Sequence, residues 1–154
     1  MNAAPDLIAR EVLDVVPAIM RTIRAEMRSR RGADLSVVQF RALLFLNRNP
    51  GASLTTVAEH LGLTSPTVCK MIDGMVTHQL ITRMPSDTDR RRVLLTLTAD
   101  GQALLDKARG GTQARLMDVL AGLTPQERDA VHQVMQLLHA VFSPAVAMPS
   151  EPER

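Results

Sequence analysis

Two clusters of side chains carry the chemistry of this sequence. One is Ser86-Asp87-Thr88-Asp89-Arg90-Arg91-Arg92, three consecutive guanidiniums preceded by carboxylates and hydroxyls. The other is Ser65, Thr67 and Lys70, small polar and basic groups close together in the chain. Neither cluster is made for breaking bonds. An arginine offers a planar fork of donors that matches phosphate oxygens, and short hydroxyls with a lysine can reach base edges in a major groove. Both therefore suit a surface that holds a nucleic-acid duplex. Asp89, two residues before Arg91, is placed to orient that guanidinium by a charge-assisted hydrogen bond, which leaves Arg90 and Arg92 for phosphates.

The elements that must present these groups are legible from spacing. Two helices crossing steeply through a short turn need a small residue where they touch, a residue that tolerates the turn, and an apolar anchor on the second helix. Ala58, Gly62 and Val68 meet those needs in order. Ser53 is placed to cap a helix through Leu54, Val57, Ala58 and Leu61, and Gly62 ends it because glycine enters the left-handed region at no steric cost. Thr64 or Ser65 caps the second helix, with Pro66 in its first turn, where a missing N–H does no harm. Val68, Met71, Ile72 and Met75 repeat at helical spacing and face the core, so Ser65, Thr67 and Lys70 fall on the remaining surface. Beyond this pair, Ile81–Met84 and Val93–Leu97 read as two strands joined by the Ser86–Arg92 segment. Such a basic hairpin is a wing, whose tip can lie over a narrow minor groove that attracts a guanidinium.

The order helix-turn-helix, then Asp89-Arg90-Arg91, then Leu97-Thr98 and Gly101 resembles the MarR family of winged helix-turn-helix transcriptional regulators. The resemblance spans nearly the whole chain. It implies a mainly α fold with a small β-hairpin wing, residues 35–98 forming the DNA-binding domain and residues 1–34 and 99–143 the dimerisation helices. Residues 144–154, with Pro144, Pro149 and Pro152, read as a flexible tail. The implied function is sequence-specific binding of double-stranded DNA by a homodimer, with repression of neighbouring genes as the usual outcome.

Length and composition agree with that reading. A chain of 154 residues suits one domain or one protomer of an intertwined oligomer. Three Phe, no Trp and no Tyr leave packing to aliphatic side chains and nine Met, which favours helices over a β-sandwich. The single cysteine excludes an internal disulfide framework and a multi-cysteine zinc site. No apolar run approaches a membrane span, and residues 1–30 carry acids and arginines where a signal peptide would be apolar, so a cytoplasmic protein without membrane contact is expected. The formal net charge is only +2. The case for nucleic acid is therefore local, in Arg83 and in Arg90–Arg92.

The ends of the chain point to a partner. Leu7, Ile8, Val12, Val15, Val16, Ile19, Ile23 and Met27 form one apolar stripe, which Pro17 should kink. Thr98 is placed to cap a helix through Leu104, Leu105, Ala108, Leu116, Val119 and Leu120, interrupted and bent at Gly110-Gly111. Thr124-Pro125-Gln126-Glu127 is a capping box that opens a last helix striped by Val131, Val134, Leu137, Leu138 and Val141. A small winged helix cannot cover all three faces. The two-fold dimer implied by the resemblance would set two recognition helices about 34 Å apart, one DNA turn, over a palindromic operator.

The remaining residues admit more than one reading. Gln39 reads as an ordinary exposed glutamine, with a contact to the DNA backbone as the alternative. Cys69 packs as a small apolar residue in preference to a redox sensor, since only Lys70 beside it would favour a thiolate. His60, His78, His132 and His139 are scattered, so no metal is expected; the methionines are core filler. No phosphate loop, nucleophile elbow or His–carboxylate pair suggests an enzyme, and no cofactor is expected. The alternative function is a winged-helix module that binds a protein instead of DNA.

Many relatives in the family release DNA when a small phenolic or anionic ligand binds between the dimerisation helices and the winged helix. Met20, Arg21, Arg24 and Arg41 are the candidates here for such an aromatic or anionic effector. Two positions depart from the family's pattern: Cys69 replaces a commoner threonine, and Gln79 stands where glycine usually ends the recognition helix. Either that helix ends differently or a left-handed glutamine is strained by about 1 kcal/mol.

Overall fold

The computed structural model describes residues 3–29 and 35–142; the expected tail, 144–154, lies outside them. Nine elements follow in order: α1 (Pro5–Ser29), α2 (Val37–Arg48), β1 (Ala52–Ser53), α3 (Leu54–Leu61), α4 (Ser65–Thr77), β2 (Ile81–Pro85), β3 (Val93–Leu97), α5 (Ala99–Leu120) and α6 (Pro125–Phe142). The chain groups into two compact units, the first ending at Leu116 and the second beginning at Met117, a division that falls inside α5.

Within the first unit, local chemistry sets the boundaries. Ser36 and Gln39 form a reciprocal capping box at the start of α2, the Ser36 hydroxyl accepting from the Gln39 amide at 3.1 Å and the Gln39 side chain accepting from the Ser36 amide at 2.8 Å. Ser53 caps α3 by accepting from the Thr56 amide, and Gly62 ends that helix at φ +67°. The sheet is antiparallel in the order β1-β3-β2. Its first strand was not foreseen. Two residues are too short for a period-2 pattern, and β1 exists only because Ala52 and Ser53 pair with Leu95 and Leu94.

The core of this unit joins the two helices of the helix-turn-helix to α2, the sheet and α5. Leu43, Leu46, Val57, Val68, Ile72 and Leu105 are wholly buried in it. From α1 only the last turns reach it, through Met27 and half-buried Ile23. The rest of the α1 stripe stays open: Leu7, Ile8, Val15, Val16 and Ile19 are all exposed. Pro17 lies inside α1 without ending it, and leaves the Leu13 carbonyl without its helical amide donor.

The expected interruption at Gly110-Gly111 is absent, because α5 continues through both glycines. Each costs about 1 kcal/mol of helix propensity. Gly111 and Thr112 are buried, so packing at this turn outweighs that cost. In the second unit, the Thr124–Glu127 capping box forms as expected, the Glu127 carboxylate accepting from the Thr124 amide at 2.8 Å and from its hydroxyl at 2.9 Å. Those bonds hold the Glu127 carboxyl below the usual carboxylate range. No residue of α6 is buried, and Val131, Val134, Leu137, Val141 and Phe142 all stand exposed.

Candidate nucleic-acid interface

Helix α4 divides cleanly into two faces. Val68, Ile72 and Met75 are buried and Met71 is half-buried, while Ser65, Thr67, Lys70, Asp73 and Thr77 are exposed. Of Thr64 and Ser65, Thr64 takes the cap position, with φ −70° and ψ 147°, yet its side chain makes no capping bond. Its hydroxyl pairs with that of Thr67 at 2.8 Å. Ser65 begins the helix with its side chain unused by any cap, and Lys70 makes no ion pair among the described residues. Ser65 and Lys70 thus remain available to an incoming ligand.

The wing is a regular hairpin from Ile81↔Leu97 to Pro85↔Val93. Its tip is shaped by side chains turned back on the backbone. Ser86 Oγ accepts from the amides of Thr88 and Asp89 at 3.3 and 3.4 Å, the Ser86 amide donates to the Arg92 carbonyl at 2.9 Å, and the Arg92 amide donates to the Asp89 carbonyl at 2.9 Å. Here one expectation is corrected. Asp89 does not hold the Arg91 guanidinium; its Oδ1 accepts from the Arg91 backbone amide at 3.0 Å. A short carboxylate two residues back reaches the main chain more readily than the end of a long side chain. Arg90, Arg91 and Arg92 are exposed and without ion-pair partners among the described residues. Arg91 and Arg92 also line a hollow of about 470 Å³ together with Thr55, Thr56 and Glu59 of α3.

Two other expected contributors are engaged elsewhere. Arg83, counted with the basic wing, pairs with Asp73 of α4. Gln39 is half-buried and its Oε1 closes the α2 capping box, so it is not an ordinary exposed glutamine.

The effector candidates are dispersed. Arg21 lines a hollow of about 410 Å³ with Thr22, Ala25, Glu26, Ser29 and Arg115. Met20 and Arg24 do not line it, and Arg41 donates to the His60 carbonyl at the end of α3, at 3.4 Å. Arg115 was not foreseen, because no sequence pattern pairs α1 with a residue of α5.

His60 stacks on Phe45 with ring centroids 4.3 Å apart and planes at 21°. Partial burial, and then the positive charges of Arg41 and Arg48, lower its pKa from the ordinary 6.5. The folded state therefore favours the neutral ring, while the unfolded chain takes up a proton near pH 6.5. Stability from this site is complete above that pH and is lost as pH falls through the lowered folded value. Denaturation midpoints measured from pH 7.5 down to pH 5 should decline, and His60→Gln should flatten that decline.

The turn between α4 and β2 resolves the question posed by Gln79. Its φ is +58°, in the left-handed region, so the glutamine accepts the strained alternative. Its carbonyl accepts from the Thr98 hydroxyl, which in turn accepts from the Gly101 amide at 2.9 Å to cap α5. Gln79→Gly removes the strain and should raise stability by about 1 kcal/mol in a denaturant titration.

A family model described as the MarR family matches residues 33–92. The organic hydroperoxide resistance transcriptional regulator of Bacillus subtilis (strain 168) is 31% identical over 109 residues, covering 71% of this chain and 71% of the relative. The chain belongs to the MarR family. Its fold matches the crystal structure of RV1404 from Mycobacterium tuberculosis with a TM-score of 0.76 at 21% identity, covering 92% of this chain and 95% of that one. It is also similar to the transcriptional repressor CouR, solved bound to a 23-mer DNA duplex, with a TM-score of 0.68 at 28% identity, covering 86% of this chain and 92% of that one. This MarR-family chain is thus a winged helix-turn-helix, DNA-binding transcriptional regulator and not an enzyme. Among its described residues, no helix is long and apolar enough to cross a membrane. Nor do three or more His, Cys, Asp or Glu side chains there gather into a metal site.

Proposed function

We propose that the protein is a homodimeric repressor that binds a palindromic operator, with α4 in the major groove and the wing tip over the adjacent minor groove. The observation that carries this reading is the pairing of an exposed α4 face, bearing Ser65, Thr67 and Lys70, with three exposed arginines at the hairpin tip that have no ion-pair partner among the described residues. CouR supports it, as a similar repressor solved on a duplex. Ser65, Thr67 and Lys70 read base edges, Arg91 enters the minor groove, Arg90 holds phosphate, and Asp89 shapes the tip by fixing the Arg91 amide. Dimerisation rests on the open apolar faces of α1 and α6, which are too extensive to leave in water.

Release by a small anionic or aromatic effector belongs to the same proposal. The hollow with Arg21 and Arg115 offers two guanidiniums to a carboxylate; Met20, Arg24 and Arg41, the other residues tied to this role, lie outside that hollow.

The experiment is to incubate purified protein with random genomic fragments, sequence what is retained, and repeat the capture at rising salt. Recovery of a palindrome with half-sites one helical turn apart, lost steeply as salt rises, is the expected result. Recovery of no shared sequence would refute operator recognition and favour a protein partner.

A further inference from the structure

Asp73 poses a difficulty for a helix that faces DNA. At 100° per residue it falls on the same side of α4 as Lys70 and Thr77, opposite Val68, Ile72 and Met75, and it is exposed. A carboxylate there repels phosphate. Its partner explains its presence. Ile81, Arg83 and Pro85 alternate onto one face of β2, and Arg83 lies opposite Leu95, which is wholly buried. Arg83 therefore leaves the sheet on the side that packs against the helices, where the apolar core gives out, and its guanidinium meets Asp73 Oδ1. The other carboxylate oxygen accepts from the Cys69 thiol at 3.9 Å, one turn back along α4. Both oxygens of Asp73 are thus engaged within the protein.

We infer that the Asp73–Arg83 pair is a clamp that fixes the wing against the recognition helix, making both positioning residues for operator recognition; this rests on the DNA-binding reading above. The two DNA-reading elements enter different grooves, and each gains from the other only if their separation is set before binding. The segment between them turns through the strained Gln79, and the ion pair ties its two sides together. The clamp also neutralises the acid on the DNA-facing side without placing a second free cation there. It therefore favours discrimination over indiscriminate affinity for phosphate.

The test uses the full chain, the operator retained by the wild type and a scrambled duplex of equal length, titrated at several salt concentrations by fluorescence anisotropy. Thermal midpoints are followed in parallel, since an exposed pair shifts them little. Asp73→Asn and Arg83→Gln should each lower the ratio of operator to scrambled affinity by about fivefold, the upper range for an exposed pair. The double variant should be no worse than either single one, and Arg83→Lys should retain most of the ratio. Asp73→Asn should also steepen the salt dependence, because the released Arg83 is free to meet phosphate.

Additive losses in the double variant, or unchanged ratios in both single variants, would overturn the clamp. So would a changed base preference at one operator position in Asp73→Asn alone, which would make Asp73 a direct reader of cytosine. A wild type without sequence preference would refute operator recognition itself, and the clamp with it.

Discussion

Gly101→Ala is expected to lower the stability of the protein by about 3 kcal/mol, at the upper end of what overpacking costs. A Cβ at Gly101 would stand 2.0 Å from the carbonyl oxygen of Leu80 and 3.0 Å from its carbonyl carbon. These are backbone atoms, so no side chain can turn aside to make room. The same carbonyl accepts from the Thr98 amide at 3.1 Å, and Thr98 in turn bonds Gln79 and caps α5 through Gly101. A methyl group here must push apart the point where the recognition helix, the wing and α5 meet. Operator affinity should therefore fall along with stability. Gly110→Ala is the control, because a Cβ there meets nothing within 4 Å. It should raise stability by up to about 1 kcal/mol through helix propensity alone. Urea titrations of the two variants would check the pair, and an unchanged midpoint for Gly101→Ala would deny the close approach.

The second large effect is expected at the wing tip. Arg91→Ala should weaken operator binding by about 10- to 100-fold, the range of a specific arginine contact, with the thermal midpoint unchanged. Arg91 is exposed and has no ion-pair partner among the described residues, while its backbone amide is anchored by Asp89, so truncation removes a donor without disturbing the loop. Asp89→Ala should act differently. It leaves all three guanidiniums in place but frees the Arg91 amide, so it should weaken operator binding less than Arg91→Ala does. Anisotropy titrations at fixed salt would measure both. Equal binding by Arg91→Ala and wild type would remove the wing from recognition.

Much of the fold was legible because its signals are local. Ser53, Gly62 and Pro66 mark helix ends through bonds or dihedral preferences that depend on a few neighbouring residues. The buried face of α4 followed from spacing, and the Thr124–Glu127 box from a four-residue pattern. The misreadings share one cause. Gly110-Gly111 looks like a break by propensity, yet Gly111 is buried and the helix continues. Arg83 looks like a free cation by composition, yet its register opposite Leu95 turns it toward Asp73. Asp89 looks like a partner for a guanidinium by charge, yet the loop brings the Arg91 amide to it first. In each case the outcome depends on a neighbour distant in sequence or on the path of the backbone.

By itself, then, the sequence determined the winged helix-turn-helix, the order of its elements and the presence of polar and basic groups at α4 and the wing tip, because periodicity, capping and turn chemistry act over a few residues. Only the tertiary structure decided that Gln79 is left-handed, that Gly101 must lack a side chain, that Asp73 and Arg83 are partners and that Arg21 and Arg115 share a hollow. Each of these depends on where two remote stretches of backbone pass each other, and that distance is set by the packing of the core and not by either stretch alone.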